Sequence, residues 1–201
     1  MKKRLIVGAS GASGMPVLLQ CLRLLRADGG FEVFLFMTAA ARMTLAQETD
    51  VSVAEIAALA DCVLQPEEIG AGPASGSFQA EGMLVAPCSM KTAAGIRSGY
   101  TDNLLLRAAD VTVKEQRPLV LAVRETPLSQ IHLRNLLELS ALPGVRIMPL
   151  MLTFYQRPES LDEMIYQTAA RLLEPFGVKA PDYRRWTGLR GAGESGNGMD
   201  C

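Results

Sequence analysis

Short apolar runs alternate along this chain with longer segments in which apolar positions recur at helical spacing. That alternation is the signature of a parallel sheet flanked by helices. The runs predict strands at Arg4–Val7, Phe31–Phe36, Met83–Ala86, Leu119–Val123 and Val145–Met148, with a weaker one at Cys62–Leu64. The helical spacing predicts helices at Pro16–Arg26, Ala39–Glu48, Val53–Ala60, Met90–Ile96, Asn103–Ala109, Gln130–Leu142 and Leu161–Phe176. Two of these starts carry the pattern of a capping box, Ser52 with Glu55 and Ser160 with Glu163, and Pro16 suits a first helical turn. No internal repeat is visible. The tail GLRGAGESGNGMDC, Gly188–Cys201, is low in complexity and is expected to be disordered, whereas Pro66–Ser77 is an internal loop of the length that often carries function.

Composition narrows the class. A chain of 201 residues suits one domain, here 1–188 with 189–201 as a tail, and 49% hydrophobic residues suffice for a sizeable core. Twenty basic residues against 21 acidic ones leave a net charge of −1, so no basic face is available for nucleic acid and the site is expected to take a small molecule. In MKKRLIVGASG the apolar run Leu5–Val7 is too short for a secretory signal, and no stretch is long enough to span a bilayer; the expected location is the cytoplasm. Cys21, Cys62, Cys88 and Cys201 form no C-x-x-C pair and read as inert thiols. His132 is the only histidine, so a His-rich zinc site cannot be assembled and a Ser-His-Asp triad would have to use this one residue, which reads as an ordinary helix position. No metal is expected.

The stretch LIVGASGASG, Leu5–Gly14, runs a strand into a glycine-punctuated turn, which suits backbone amides that hold a phosphate. Its glycines, Gly8, Gly11 and Gly14, do not fit the dinucleotide spacing G-x-G-x-x-G. In an open parallel sheet, ligands bind beyond the carboxyl ends of the strands. The segments just past those ends are Gly11-Ala12-Ser13, Met37-Thr38, Pro87 to Thr92, Arg124 to Pro127 and Phe154-Tyr155. Hydroxyls of Ser10, Ser13, Thr38, Ser89 and Thr92, with the charges of Lys91 and Arg124, suit a phosphate-bearing aromatic ligand. Any one hydroxyl at a helix start is equally an N-cap; the expectation of a site rests on their coming together at one sheet edge. Arg107, Lys114, Glu125, Tyr155 and Arg171 are further polar candidates that periodicity alone does not gather.

The motifs GASGASG, SGSF at Ser75–Phe78, PCSMKTAAGI at Pro87–Ile96, RAADVTVKEQRPLVLAVRETPL at Arg107–Leu128, FY at Phe154–Tyr155 and RW at Arg185–Trp186 occur here in that order. In this the chain resembles the UbiX-type flavin prenyltransferases, over Lys3 to about Gly188. GIRSGYTDNL places it near the branch named after the hydroxyarylic acid decarboxylases. The resemblance implies a three-layer flavodoxin-like or Rossmann-like α/β fold, a homo-oligomer with the dodecamer as one form, and FMN as ligand. It implies transfer of a dimethylallyl group from dimethylallyl phosphate to reduced FMN, making the prenylated flavin used by a UbiD-type aromatic acid decarboxylase.

By position, the resemblance gives FMN binding to Gly11, Ala12, Ser13, Thr38, Ser89, Met90, Lys91, Thr92 and Arg124. It gives the prenyl phosphate to Arg107, Lys114, Tyr155 and Arg171, with Trp186 shielding the allyl group, and proton transfer to Glu125 with Ser13. Ser13, Lys114 and Glu125 are thus the expected catalytic residues, at a phosphate site formed between subunits. Two departures stand out: Thr38-Ala39 replaces the Ser-Lys of many relatives, and PLMLTFY replaces a proline-rich approach to the Phe-Tyr pair. Three other readings are a non-catalytic FMN-carrying subunit, a flavin-dependent cysteine decarboxylase and direct decarboxylation of phenolic acids. A carrier would not need Lys114, Glu125, Tyr155 and Arg171.

Overall fold

Strands β1 (Lys3–Ala9), β2 (Phe31–Met37), β3 (Cys62–Leu64), β4 (Met83–Cys88), β5 (Leu119–Val123) and β6 (Val145–Ile147) pair in parallel throughout, in the order β3-β2-β1-β4-β5-β6. This is the computed structural model of the chain, and it describes residues 2–188. The central strands read as unbroken apolar runs because both of their faces are covered. Leu5, Val7, Val120 and Ala122 point into one core, and Ile6, Leu119, Leu121 and Val123 point into the other.

Helices α1 (Met15–Asp28), α2 (Ala39–Glu48), α3 (Val53–Ala57) and α7 (Leu161–Leu173) close the first core; α4 (Met90–Ser98), α5 (Leu104–Lys114) and α6 (Gln130–Ser140) close the second. The expected α/β architecture is therefore present, with the Rossmann strand order of the two considered.

Element boundaries depart from expectation where side-chain burial or a cap overrides local spacing. Helix α5 continues past Ala109 to Lys114 because Val111 and Thr112 extend its buried stripe. Helix α3 stops at Ala57, short of Ala60. Helix α7 gives way at Leu173 to a 3-10 turn over Glu174–Phe176, where Pro175 lacks the amide that an α-helix would need.

The Ser52–Glu55 capping box closes in both directions. At Ser160 only half of it forms. The hydroxyl accepts from the Glu163 amide at 3.2 Å, but the Glu163 carboxylate takes the amide of Glu159 at 2.7 Å and pairs with Arg184. A box not expected from the sequence closes at α6, where the Ser129 hydroxyl accepts from the amide of His132 and the His132 Nδ1 accepts from the amide of Ser129, each at 3.2 Å. The lone histidine is thereby a helix cap.

Cys21 and Cys88 are free and fully buried, and Cys62 is half-buried; Cys201 and the rest of the expected tail lie outside the described residues. Burial pushes the Cys88 thiol up to about 12 and the Cys21 thiol higher still. Cys21 and Cys88 should therefore resist iodoacetamide at pH 8 in the folded protein and react only after denaturation, as read by peptide mass spectrometry. Rapid native labelling of Cys88 would contradict this packing.

Candidate functional site

Helix α1 leaves the end of β1 toward one face of the sheet and α4 leaves the end of β4 toward the other, so a crevice opens between these neighbouring strands. The backbone amide of Ser10 donates to the Pro87 carbonyl at 3.1 Å. Its hydroxyl donates to the same carbonyl at 3.2 Å and accepts from the Ser89 amide at 2.8 Å. This buried serine joins the two strand ends and fixes the start of α4. Ser89 then caps α4, its hydroxyl accepting from the Thr92 amide at 3.3 Å, and Thr38 caps α2 by accepting from the Ala41 amide at 3.1 Å.

The glycine loop is not the open phosphate cradle that the sequence suggested. One carboxylate oxygen of Glu48, the last residue of α2, accepts from the amides of Gly14 at 2.9 Å and Met15 at 2.8 Å. An anion thus already occupies the N-terminus of α1. Gly14 has a φ of 131°, and a Cβ there would lie 2.5 Å from Leu150 Cδ1, so glycine is required by both conformation and space. Of the first-turn amides of α4 and α2, those of Met90, Lys91, Ala39 and Ala40 are not taken by the Ser89 and Thr38 caps and remain as anion donors beside the crevice.

A cleft of about 440 Å³ opens at this edge, with Ser13, Glu48 and Arg124 on its polar side. Its apolar wall comes from Leu150, Met151 and Leu152 after β6 and from Leu161, Met164 and Ile165 of α7. Arg124 is exposed and has no acidic partner among the described residues. A second cleft of about 240 Å³, sharing Met151 and Thr168 with the first, holds Tyr155 and Arg171. The Tyr155 ring meets Trp186 edge to face with centroids 5.3 Å apart. Glu174 pairs with both Arg171 and Arg185; its burial works against ionisation, but the two guanidiniums outweigh that and hold the carboxyl below its ordinary range. Glu125 is exposed beside Arg124 and accepts from the amide of Thr126 at 3.0 Å.

The remaining expected residues lie elsewhere in the chain. Lys91 is exposed on the flank of α4, on a separate cleft with Tyr100 and Asp102, and is not brought to Ser13. Arg107 and Lys114 are both on α5: Arg107 in its first turn, where the Leu104 amide donates to the Pro66 carbonyl just past the carboxyl end of β3, and Lys114 at its last residue, which leads to β5 at the amino edge of the sheet. The length of β5, about 13 Å at ~3.3 Å per residue, separates that edge from Glu125. Arg107 donates to the Ala74 carbonyl at 3.2 Å and pairs with Asp110 at 2.7 Å; Lys114 pairs with Glu115 at 2.8 Å. Lys114 is therefore not brought to Glu125 within one chain.

Sequence reading missed Glu48 and the apolar wall. The available signal was an unpaired acid at the end of α2, where the helix dipole disfavours it and a cation is usual.

The crevice suits a mononucleotide: capped helix starts and Arg124 for a phosphate, and an apolar wall for a ring system. Among the described residues, no three His, Cys, Asp or Glu side chains gather as metal ligands, and no helix is long and apolar enough to cross a membrane.

The family model Flavoprotein matches residues 1–170. The chain is 51% identical to the flavin prenyltransferase UbiX of Escherichia coli strain K12 over 188 residues, 92% of this chain and 99% of that one. A dodecameric FMN-dependent UbiX-like decarboxylase from Escherichia coli O157:H7 superposes with a TM-score of 0.89 at 48% identity, covering 92% of this chain and all of the other. AnUbiX (PadA1), solved in complex with FMN and dimethylallyl pyrophosphate, superposes with a TM-score of 0.91 at 42% identity over 94% of this chain and all of the other.

Replacing Glu48 with Ala should cost about 1–2 kcal/mol of stability in urea unfolding, the worth of a charged cap on a helix N-terminus, and Glu48→Gln should cost less. Equal stability of all three proteins would show that the carboxylate does not cap α1.

Proposed function

Because the chain belongs to the flavin prenyltransferase branch of the Flavoprotein family, we propose that it joins a dimethylallyl group from dimethylallyl phosphate to reduced FMN. The observation that carries this reading is the cleft in which Ser13, Glu48 and Arg124 face an apolar wall, beside a second cleft bearing Tyr155 and Arg171. FMN would be held by Gly11, Ala12, Ser13, Thr38, Ser89, Met90, Thr92 and Arg124, with amides of the α4 and α2 starts on its phosphate; Lys91 joins this set only through a neighbouring copy or a turn of its side chain. Reduced FMN supplies the electron-rich ring that accepts the allyl group.

The chain's own work is electrostatic and steric. Breaking an allylic C–O bond builds negative charge on the departing phosphate and positive charge on the allyl group, so fixed cations and a phenol stabilise the change. Arg171 and Tyr155 are available from one copy. Lys114, at the opposite edge of the sheet, and Arg107, on the same helix, would come from another, which would make the working form a homo-oligomer. Exposure of Met151, Leu152, Phe154, Leu161 and Trp186 around the cleft supports such a covering copy. Trp186 and Tyr155 would shield the allyl cation from water, and Glu125 with Ser13 would hold and move the proton released on ring closure. The product would pass to a UbiD-type aromatic acid decarboxylase in the cytoplasm.

Purified protein incubated anaerobically with reduced FMN and dimethylallyl phosphate should release a flavin heavier by one prenyl unit in mass spectrometry. Lys114→Ala and Glu125→Gln should each lower turnover by about 10²–10³-fold while retaining FMN. Unmodified FMN recovered from folded, flavin-loaded wild-type protein would instead favour the carrier.

A further inference from the structure

Lys114 ends α5 on a long, flexible stem, half exposed, yet its ammonium is held by a partner. It donates to Glu115 Oε1 at 2.8 Å, and the other carboxylate oxygen lies 3.9 Å from the guanidinium of Arg117. Lys114 holds the Glu115 carboxyl below its usual range, with a smaller contribution from Arg117. Arg117 itself is mostly buried, its side chain 19% exposed, and its fork is spent on backbone: Nη1 donates to the Phe78 carbonyl and Nη2 to the Gly76 carbonyl, both at 2.8 Å.

Gly76 completes the contact. A Cβ at this position would fall 2.2 Å from Glu115 Oε1 and 3.0 Å from Lys114 Nζ, so the ion pair rests directly on the loop backbone. The loop is fixed in turn by Phe78, whose ring meets Phe34 edge to face at 4.9 Å and lies 4.7 Å from the Arg4 guanidinium.

We propose that Arg117, Glu115 and Gly76 form a brace that positions the Lys114 ammonium, so that α5 and the loop through Ser75–Phe78 present it as one rigid unit to the cleft of a neighbouring copy. This rests on the role given to Lys114 above. Arg117, Glu115 and Gly76 are positioning residues: none needs to touch substrate. A planar guanidinium bonded to two carbonyls cannot be matched by an ammonium, so Arg117→Lys is only a partial replacement. A brace of this kind lowers the freedom of the cation before the phosphate arrives, and because Lys114 is assigned to the charge that develops as the phosphate departs, its effect falls on kcat.

The test uses the intact protein and three variants: Gly76→Ala, which alters no functional group, Arg117→Gln and Arg117→Lys. Gly76→Ala and Arg117→Gln should lower kcat by about tenfold with KM for dimethylallyl phosphate changed less than about threefold, FMN affinity and oligomer mass unchanged, and Arg117→Lys in between. Independently of activity, Lys114 should react faster with an N-hydroxysuccinimide ester in these variants than in wild type, as read by peptide mass spectrometry. Where Arg117→Gln fails to fold, Gly76→Ala decides. Unchanged kcat together with unchanged Lys114 labelling in Gly76→Ala overturns the brace. Faster labelling in a protein whose wild type makes no prenylated flavin upholds the brace and overturns the catalytic reading instead.

Discussion

Where two neighbouring parallel strands send their helices to opposite faces, the sheet must hold a crevice open without stranding buried backbone groups. Ser10 meets that constraint here. Its amide and hydroxyl both serve the Pro87 carbonyl while its oxygen takes the Ser89 amide, so the ends of β1 and β4 are locked at a fixed spacing. The cap on α4, the position of Arg124 two strands' width away and the mouth of the cleft all follow from that spacing, because Arg124 itself is tied back to the Cys88 carbonyl through its amide at 3.2 Å. A serine is small enough to be buried and bears one donor and two acceptor sites, which suits it to a three-way junction.

The second organising feature is the use of a carboxylate as an internal anion. Glu48 closes the amides at the start of α1, leaving the open starts of α4 and α2 as the anion donors at this edge, while the Glu48 side chain itself faces the cleft. An acid at the end of one helix and the open start of another are each unfavourable or unsatisfied alone. Together they join the two elements that border the site.

The fold was legible because its signals are local and repeated. Buried strands such as Leu119–Val123 are continuous apolar runs, and the helices between them carry caps and apolar stripes. What failed was set by tertiary context: the C-terminal extension of α5 by its buried face, the half-formed box at Ser160, whose Glu163 is drawn to Glu159 and Arg184, and the capping role of His132. The site was legible in part. Ser13 and Arg124 line one cleft and Tyr155 and Arg171 a second beside it, but Glu48 was missed because its partners are amides far off in sequence. Motif order linked Lys114 and Arg107 to the same chemistry, although α5 carries Lys114 to the other edge of the sheet. No single-chain periodicity encodes a relation that only a neighbouring copy can complete.

The proposed sharing of one site between copies, Lys114 from one and Arg171 from the next, carries a genetic consequence. A chain damaged at Lys114 and a chain damaged at Arg171 would each retain one intact half, so mixed assemblies would regain some whole sites that neither parent possesses. Substitutions at either half would then be compensated across molecules, and the residues that would change together in descent are those that meet between copies, however distant they are within one.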